Sequence, residues 1–312
     1  MTLPPLAPLL VALGLTVSLG ACSPLTAFAT LTPTDPASRE GQGLAYGADP
    51  RQRLDVYAPA GGAEAAPVAI FFYGGSWTDG RRQDYGWVGR ALAAEGFLAI
   101  NPDYRLYPDV TYPEFLADGA LAVAWAVENA ARYGGDPQKI VLIGHSAGAY
   151  NAIMLGLDDS YLRDADVDPQ RIRAVAGLAG PYDFLPLEGR TTQAVFGGAG
   201  DLEATQPVNQ VRPGAPPVFL ATGDSDTVVL PRNTQALAGA LRERGVAVET
   251  RVYPDLGHAG VLLALSRPLR GRAPVLEEMA AFLKAQTQIG RDNVALGAAP
   301  QIDQPLSSLG SP

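Results

Sequence analysis

The sequence is poor in the residues that several common kinds of site require. Cys22 is its one cysteine, so an intramolecular disulfide is excluded and the protein is compatible with an oxidising compartment. It has two histidines, and no group of histidine, cysteine and carboxylate residues has metal-ligand spacing, so we expect no metal or other cofactor. Lysine and arginine total 23 against 32 acidic residues, a formal charge of −9. Because there is also no basic block, we expect no binding to nucleic acid or to anionic lipid.

Long apolar runs are absent except near the N-terminus. Residues 6–19 are apolar and are followed by Leu19-Gly20-Ala21-Cys22, a pattern typical of bacterial lipoprotein signals that are cleaved before the cysteine. We therefore expect residues 1–21 to be a signal peptide and Cys22 to be lipidated. The protein would then be exported and held on the membrane by this lipid alone, facing the periplasm or the cell surface. Because residues 1–5 lack the usual lysine or arginine, an ordinary secretory signal on a soluble protein is the alternative, and a mis-assigned start codon is a further one.

The rest of the chain predicts one α/β domain with tails. Its length of 312 residues and 47% hydrophobic content suit a sheet covered by helices on both faces, and strand patterns alternate with helical ones. Residues 22–43 are rich in threonine, proline, alanine and serine and predict a flexible tether. We expect the domain to span residues 44–289, beginning with an edge hairpin, and residues 290–312 to be disordered.

Two further segments of this domain have predicted roles. Residues 112–133 predict a long amphipathic helix, on which Asp118 and Glu128 are expected to lie on the solvated face. Residues 182–216 are rich in glycine, proline and glutamine and lie where a cap insertion would occur. They are too polar for a large lipase lid, so we expect a small cap.

The most informative motif is Gly144-His145-Ser146-Ala147-Gly148. It is preceded by the β-branched run Lys139 to Ile143, which predicts a buried strand, and followed by the alanine- and leucine-rich residues 147–157, which predict a helix. A sharp turn from strand to helix exposes the central serine at the sheet edge, at the positive end of the helix dipole. Ser146 is therefore the predicted nucleophile.

A serine nucleophile requires a base, and His258 is the available one. His145 lies within the turn itself, where its side chain diverges from that of Ser146. His258 lies in a loop of small residues that follows the strand-like residues 248–253. Its position in the chain agrees with the role of a base, which we assign to it.

The third expected group is a carboxylate that orients the imidazole. Residues 217–222 predict a strand, and Asp224 and Asp226 follow it. Either could instead cap the turn. We favour Asp226, which lies deeper in the loop, and expect Asp224 to brace the turn. The chain order Ser146, Asp226, His258 is that of the α/β-hydrolase fold.

A fourth element precedes these three. The apolar strand pattern of residues 67–72 leads into Tyr73-Gly74-Gly75-Ser76-Trp77. Paired glycines let the backbone approach a substrate carbonyl oxygen, on which negative charge develops during attack. A second donor would be the N–H of Ala147.

Taken together, these motifs resemble those of α/β-hydrolase esterases, in particular the hormone-sensitive-lipase-like carboxylesterases and the bacterial feruloyl-esterase-like group. They cover roughly residues 45 to 288 in the expected order. The segments that carry the resemblance are Tyr73-Gly74-Gly75-Ser76-Trp77, Pro102-Asp103-Tyr104-Arg105-Leu106, Tyr133-Gly134-Gly135-Asp136-Pro137, Gly144-His145-Ser146-Ala147-Gly148, Gly223 to Asp226, and Gly257-His258. Tyr73 replaces a histidine that is usual in these esterases, and Ser76 stands where a third glycine is common.

The resemblance implies an α/β-hydrolase fold, with a mostly parallel, doubly wound sheet and a small cap. It also implies a catalytic triad, an oxyanion hole built from backbone N–H groups, and a glycine that shapes the adjoining loop. The residues for these roles are Ser146, Asp226 and His258, then Gly75, Ser76 and Ala147, and finally Gly74.

The predicted function is that of a serine carboxylesterase acting on small acyl esters. An amidase, formamidase or peptidase on the same fold is an alternative, although the chain shows neither a large accessory domain nor acidic residues placed to grip a substrate amine. A non-catalytic binding lipoprotein is a further alternative, disfavoured because nucleophile, acid and base are all present. We name Ser76, Trp77, Trp87, Phe184 and Leu185 as candidate pocket walls.

Overall fold

A central sheet positions every segment named above. The structure is a computed structural model that describes residues 24–288. These residues form an eight-stranded sheet in the order β1-β2-β4-β3-β5-β6-β7-β8. The strands are β1 (Ala37–Ala45), β2 (Arg53–Pro59), β3 (Ala66–Phe72), β4 (Leu98–Pro102), β5 (Gly135–His145), β6 (Ile172–Leu178), β7 (Val218–Gly223) and β8 (Val248–Tyr253).

The sheet is mostly parallel, as predicted. Strand β2 pairs antiparallel with β1 and with β4, and all other neighbours are parallel. The central strands are nearly continuous apolar runs; Ile140 to Ile143 of β5, for example, are fully buried. This pattern is expected where helices cover both faces of a parallel sheet.

Helices flank the sheet. Helices α3 and α4 contact each other, as do α2 and α9. The α-helices of the described residues are α1 (Pro24–Leu31), α2 (Gly86–Ala94), α3 (Glu114–Asn129), α4 (Ala147–Leu157), α5 (Ser160–Asp164), α6 (Arg190–Phe196), α7 (Arg232–Glu243), α8 (His258–Leu263) and α9 (Val275–Gln288). Among them, none is both long enough and apolar enough to cross a bilayer. Between β6 and β7, α6 and short 3-10 turns form the small cap.

The prediction of a flexible tether over residues 22–43 is wrong for its described part. Helix α1 and the first half of β1 occupy this stretch, because Leu25 and Phe28 pack on the core at helical spacing and β1 pairs with β2 from Ala37 onward. Backbone pairing along an edge strand does not depend on apolar side chains, so the composition concealed it. The signal peptide, Cys22 and the tail at 290–312 lie outside the described residues.

The prediction for Asp118 is also wrong. This residue of α3 is fully buried, accepts a hydrogen bond from Gln52 Nε2 at 2.8 Å and pairs with Arg105 Nη2 at 2.7 Å. A buried carboxylate requires such a partner, and the partner comes from a distant loop that helical periodicity does not reveal. Glu128 is exposed, as expected.

Candidate active site

Ser146 lies in the sharp turn between β5 and α4. Its backbone has φ 56° and ψ −124°, a left-handed conformation that is strained for a residue with a side chain. The turn is fixed because the Ser146 N–H donates to the Leu178 carbonyl at 2.9 Å. The side chain is partly exposed at the carboxyl edge of the parallel strands, where the sequence motif placed it.

His258 opens helix α8 and faces Ser146. Its Nε2 lies 2.9 Å from Ser146 Oγ, and its Nδ1 lies 2.8 Å from Asp226 Oδ2. Since a carboxylate only accepts, Nδ1 carries the hydrogen and Nε2 is left to accept from the serine hydroxyl. The imidazole is therefore held in the tautomer that a general base requires.

Asp226 is the carboxylate that meets His258. Its side chain is fully buried, and its Oδ1 accepts from the backbone N–H groups of Val228 and Val229, both at 2.9 Å. Asp224 instead accepts from the N–H of Asp255 at 2.9 Å and braces the turn. The structure thus brings Ser146, Asp226 and His258 together and leaves Asp224 outside; their catalytic roles stay a prediction.

Three backbone N–H groups beside Ser146 are free to bind an anion. Within residues 24–288, the N–H groups of Gly75, Ser76 and Ala147 donate to no protein acceptor. Gly75 has φ +127°, and a Cβ there would lie 2.1 Å from the Asp79 carbonyl oxygen, so the loop conformation requires glycine. The N–H of Ala147 begins α4 at the positive end of its dipole. These groups are suited to the predicted oxyanion hole.

Gly74 permits the close approach of this loop to the serine. A Cβ at Gly74 would lie 2.9 Å from Ser146 Cβ and 3.1 Å from the His145 carbonyl oxygen. Glycine is therefore required at position 74 because it lacks a side chain, and not because of its backbone conformation.

Tyr73, which replaces the usual histidine, anchors the start of this loop in the core. It is fully buried, and its hydroxyl donates to Asp103 Oδ1 at 2.9 Å and accepts from Arg51 Nη2 at 3.1 Å. Its ring stacks between Tyr85 and Tyr104, with centroid distances of 5.2 and 4.8 Å. Burial raises the pKa of Tyr73 well above its usual value, so the hydroxyl keeps its proton.

Sequence reasoning identified the segment of residues 102–106 but assigned it no role. In the structure, the Tyr104 hydroxyl donates to the Tyr73 carbonyl at 2.8 Å, and Asp103 pairs with Arg82. At the other end of the loop, Trp77 Nε1 donates to Asn151 Oδ1 at 3.0 Å. These contacts hold the glycine loop rigid, and they join segments whose spacing in the chain gives no signal.

His145 supports His258 without competing with it. Its Nε2 donates to the His258 backbone carbonyl at 3.0 Å, and the two rings are 4.9 Å apart. Burial, together with the neighbouring His258, lowers the pKa of His145 to about 3. His145 therefore stays neutral and positions the backbone of the candidate base.

Two cavities adjoin Ser146. The histidine-side cavity, of about 510 Å³, is lined by His258, Leu262 and Leu263 of α8 and by Leu25 and Phe28 of α1. The tryptophan-side cavity, of about 280 Å³, is lined by residues that include Trp77, Ala147, Phe184, Thr191 and Thr192. Ser76, Ser146 and Val228 border both.

The pocket-wall predictions are right in part. Ser76, Trp77 and Phe184 line a cavity. Trp87 and Leu185 line neither of the two; the Trp87 ring packs edge-on against Phe28 at 5.5 Å. Leu25 and Phe28 were missed because their segment was interpreted as a tether. In the described part of the chain, no three histidine, cysteine or carboxylate side chains are grouped to hold a metal ion.

Comparison with known proteins adds a family. The family model BD-FAE matches residues 54–241. The chain is 30% identical over 269 residues to a rice protein (Oryza sativa subsp. japonica) named "Probable isoprenylcysteine alpha-carbonyl methylesterase ICMEL1", covering 78% of this chain and 62% of that one. It is 31% identical over 235 residues to Esterase LipQ of Mycobacterium tuberculosis, covering 70% and 55%. The chain thus spans less than two thirds of the length of these curated relatives.

Solved structures share the fold. An inhibited Esterase B from Lactobacillus rhamnosis superposes with a TM-score of 0.74 at 23% identity, covering 87% of this chain and 92% of that one. A truncated carbohydrate esterase from gut microbiota gives 0.71 at 20% identity, covering 83% and 100%. At these identities the similarity establishes the architecture of the sheet and its helices.

Proposed function

Because the chain belongs to the BD-FAE family of α/β-hydrolase esterases, we propose that it is a serine carboxylesterase that hydrolyses small acyl esters. Membership of this family confirms the resemblance that the motifs suggested and the α/β-hydrolase fold. The nucleophile would be Ser146, the base His258 and the orienting carboxylate Asp226.

One observation carries the proposal: an unbroken chain of hydrogen bonds from Ser146 Oγ through the imidazole of His258 to Asp226. Its two links are 2.9 and 2.8 Å long. A nucleophile, a base and a group that orients the base are what acyl transfer through a covalent intermediate requires. The free N–H groups of Gly75, Ser76 and Ala147 on the adjoining loop and helix supply the remaining element.

The first half of the reaction would acylate the serine. His258 Nε2 takes the proton of Ser146 as Oγ bonds to the ester carbonyl carbon, and the oxygen that becomes negative meets the free N–H groups. The intermediate then collapses: the bond from carbon to the alkoxy oxygen breaks, and His258 returns its proton to that oxygen. An alcohol leaves and the acyl group stays on Ser146.

The second half would regenerate the enzyme. Water gives a proton to His258 Nε2 while its oxygen bonds to the acyl carbon. The bond from the acyl carbon to Ser146 Oγ then breaks, and His258 returns the proton to Oγ. The carboxylic acid is released. Throughout, Asp226 stabilises the imidazolium form of His258.

The substrate class follows from the two cavities. At about 280 and 510 Å³, each accommodates a small organic group on one side of Ser146, and their walls are largely apolar. The rice relative is named as a probable methylesterase of isoprenylcysteine, which supports a small ester as the substrate class of this chain.

Substitution of the nucleophile tests the proposal. Ser146→Ala should lower kcat for p-nitrophenyl acetate by roughly three or more orders of magnitude. A fluorophosphonate probe should label the wild type at Ser146 alone. Near-normal turnover by the variant, or labelling elsewhere, would contradict the assignment.

A matched anilide separates esterase from amidase. We expect the wild type to turn over p-nitrophenyl acetate far faster than p-nitroacetanilide. Comparable rates would point to an amidase, and failure of the wild type to turn over or react with any of these compounds would point to a binding protein.

We also propose that the protein is exported and attached to the membrane through a lipid on Cys22. Support comes from the apolar residues 6–19 and from Leu19-Gly20-Ala21-Cys22. A soluble exported form, made with an ordinary secretory signal, is the alternative.

A further inference from the structure

We infer that helix α1 forms the wall of the subsite for the leaving alcohol, and that Phe28 and Leu25 select esters whose alcohol part is apolar. This inference rests on the proposed function. It concerns a segment that precedes the region matched by the family model, which begins at residue 54.

The direction of proton transfer from His258 determines which cavity binds the alcohol part of the ester and which binds the acyl part. When the acyl-enzyme forms, the alkoxy oxygen receives its proton from His258 Nε2, so the alcohol part must lie on the His258 side of Ser146. His258 borders the histidine-side cavity and is absent from the lining of the tryptophan-side cavity. The alcohol therefore enters the former, and the acyl chain extends past Ala147 and Trp77 into the latter.

The histidine-side cavity is chemically matched to an apolar alcohol. The apolar part of its wall is formed by Leu25 and Phe28 from α1 and by Leu262 and Leu263 from α8, and Ser76 and Tyr85 also line it. Val228, 71% exposed, lies at the shared border of both cavities. The apolar side chains of this wall cannot hydrogen-bond a polar alcohol, whereas each buried methylene of an alkyl group gains about 0.8 kcal/mol, roughly a fourfold gain in binding.

Helix α1 is held firmly enough to act as a wall. Phe28 packs edge-on against the buried Trp87 at 5.5 Å. Arg81 Nη2 donates to Thr26 Oγ1 at 3.2 Å. Just after the helix, Asp35 forms a two-pronged ion pair with Arg270, at 2.8 and 3.0 Å. These contacts hold α1 against the rest of the domain, as a wall of the cavity requires.

Two ester series test the inference. One holds the acyl group constant, as methyl, butyl and hexyl acetate, and the other holds the alcohol constant, as ethyl acetate, butyrate and hexanoate. All acetate esters give the same acetyl-enzyme, so differences in kcat/KM along the first series report acylation and the alcohol subsite alone. We expect Phe28→Ala to reduce the preference for hexyl over methyl acetate by roughly tenfold and to leave the acyl series unchanged.

Matched variants exclude a general structural effect. Leu31 lies at the end of the same helix and is 81% exposed, so Leu31→Ala should leave both series as in the wild type. Phe184→Ala, in the tryptophan-side cavity, should change the acyl series and spare the alcohol series. If Phe28→Ala does not fold, Leu25→Ala and the milder Phe28→Leu should shift the alcohol series in the same direction.

The outcomes separate this inference from the proposed function. Absence of ester turnover by the wild type would refute the esterase itself. If the wild type is active but the Phe28 and Leu25 variants change the acyl series, or neither series, α1 is not the wall of the alcohol subsite.

Discussion

At the scale of single residues, Asp226 determines which nitrogen of His258 carries hydrogen. Its Oδ2 faces Nδ1, while Oδ1 is already occupied by the N–H groups of Val228 and Val229. An asparagine here would keep its oxygen on those two donors and turn its amide hydrogens toward Nδ1. The imidazole would then carry hydrogen on Nε2 and could not accept the proton of Ser146.

Asp226→Asn should therefore give a folded protein with kcat lowered by about three to four orders of magnitude. Asp224→Asn is the matched control, since an asparagine oxygen can still accept from Asp255, and it should change kcat less than tenfold. Turnover of p-nitrophenyl acetate and circular dichroism of both variants check this. The reverse order of effects would place the acid at Asp224.

His145 links the site to the pH dependence of stability. Its pKa of about 3 in the folded protein lies below the value of about 6.5 expected when unfolded. Between these values the unfolded chain binds one proton more, so the contribution of His145 to stability is complete above pH 6.5 and is lost as pH falls toward 3.

We expect this residue to contribute a slope of about 1.4 kcal/mol per pH unit below pH 6.5. His145→Gln, which keeps a donor but does not titrate, should show a smaller loss of unfolding free energy between pH 7 and pH 5 than the wild type. Urea unfolding at the two pH values measures the difference. Parallel losses in both proteins would show that His145 is not the buried neutral group described here.

At the scale of elements, the glycine loop after β3 is held in an unusual backbone conformation by its surroundings. Ser76 and Trp77 both have left-handed backbones, at φ 53° and 59°. Such residues persist only where neighbours fix them. Here the fixing contacts are the stacking of Tyr73 on Tyr104 and the hydrogen bond from Trp77 to Asn151.

Tyr73→Phe should lower the free energy of unfolding by about 1–3 kcal/mol, because Asp103 and Arg51 lose a buried partner. We expect kcat to fall less than tenfold, since Tyr104 still holds the Tyr73 carbonyl. Tyr85→Phe is the control for stability: its ring stacks on Tyr73, but in residues 24–288 its hydroxyl forms no hydrogen bond. Equal destabilisation by both variants would show that the hydrogen bonds of the Tyr73 hydroxyl are not the cause.

The elements that the sequence predicted are those specified by neighbouring residues. The turn at Ser146 could be predicted because its strand, helix and glycines lie within one segment. His258 could be predicted as the base because the chain has only one other histidine. By contrast, the burial of Asp118 depends on Arg105, and the support of Tyr73 depends on residues from several distant segments. Helix α1 was missed because it is short, and packing on the core stabilises it more than its own composition does.

At the scale of the whole molecule, the proposed lipid on Cys22 would determine where the protein acts. Cys22→Ser should release the protein from membranes and leave ester hydrolysis intact, because a serine cannot be lipidated and Cys22 contributes nothing to the triad. Fractionation of cells into membrane and soluble parts, with an activity assay on each, measures this. Wild-type protein that is wholly soluble and cleaved at another position would instead indicate an ordinary secretory signal.

The placement of α1 bears on how such an enzyme evolves. The helix precedes every strand of residues 24–288 and lies outside residues 54–241, so its replacement would leave the register of the sheet unchanged. The nucleophile turn tolerates no such exchange, because it is continuous with the central strand. On the proposal that α1 lines the alcohol subsite, exchange of this N-terminal segment would change which alcohols are accepted and would leave the proposed triad as it is.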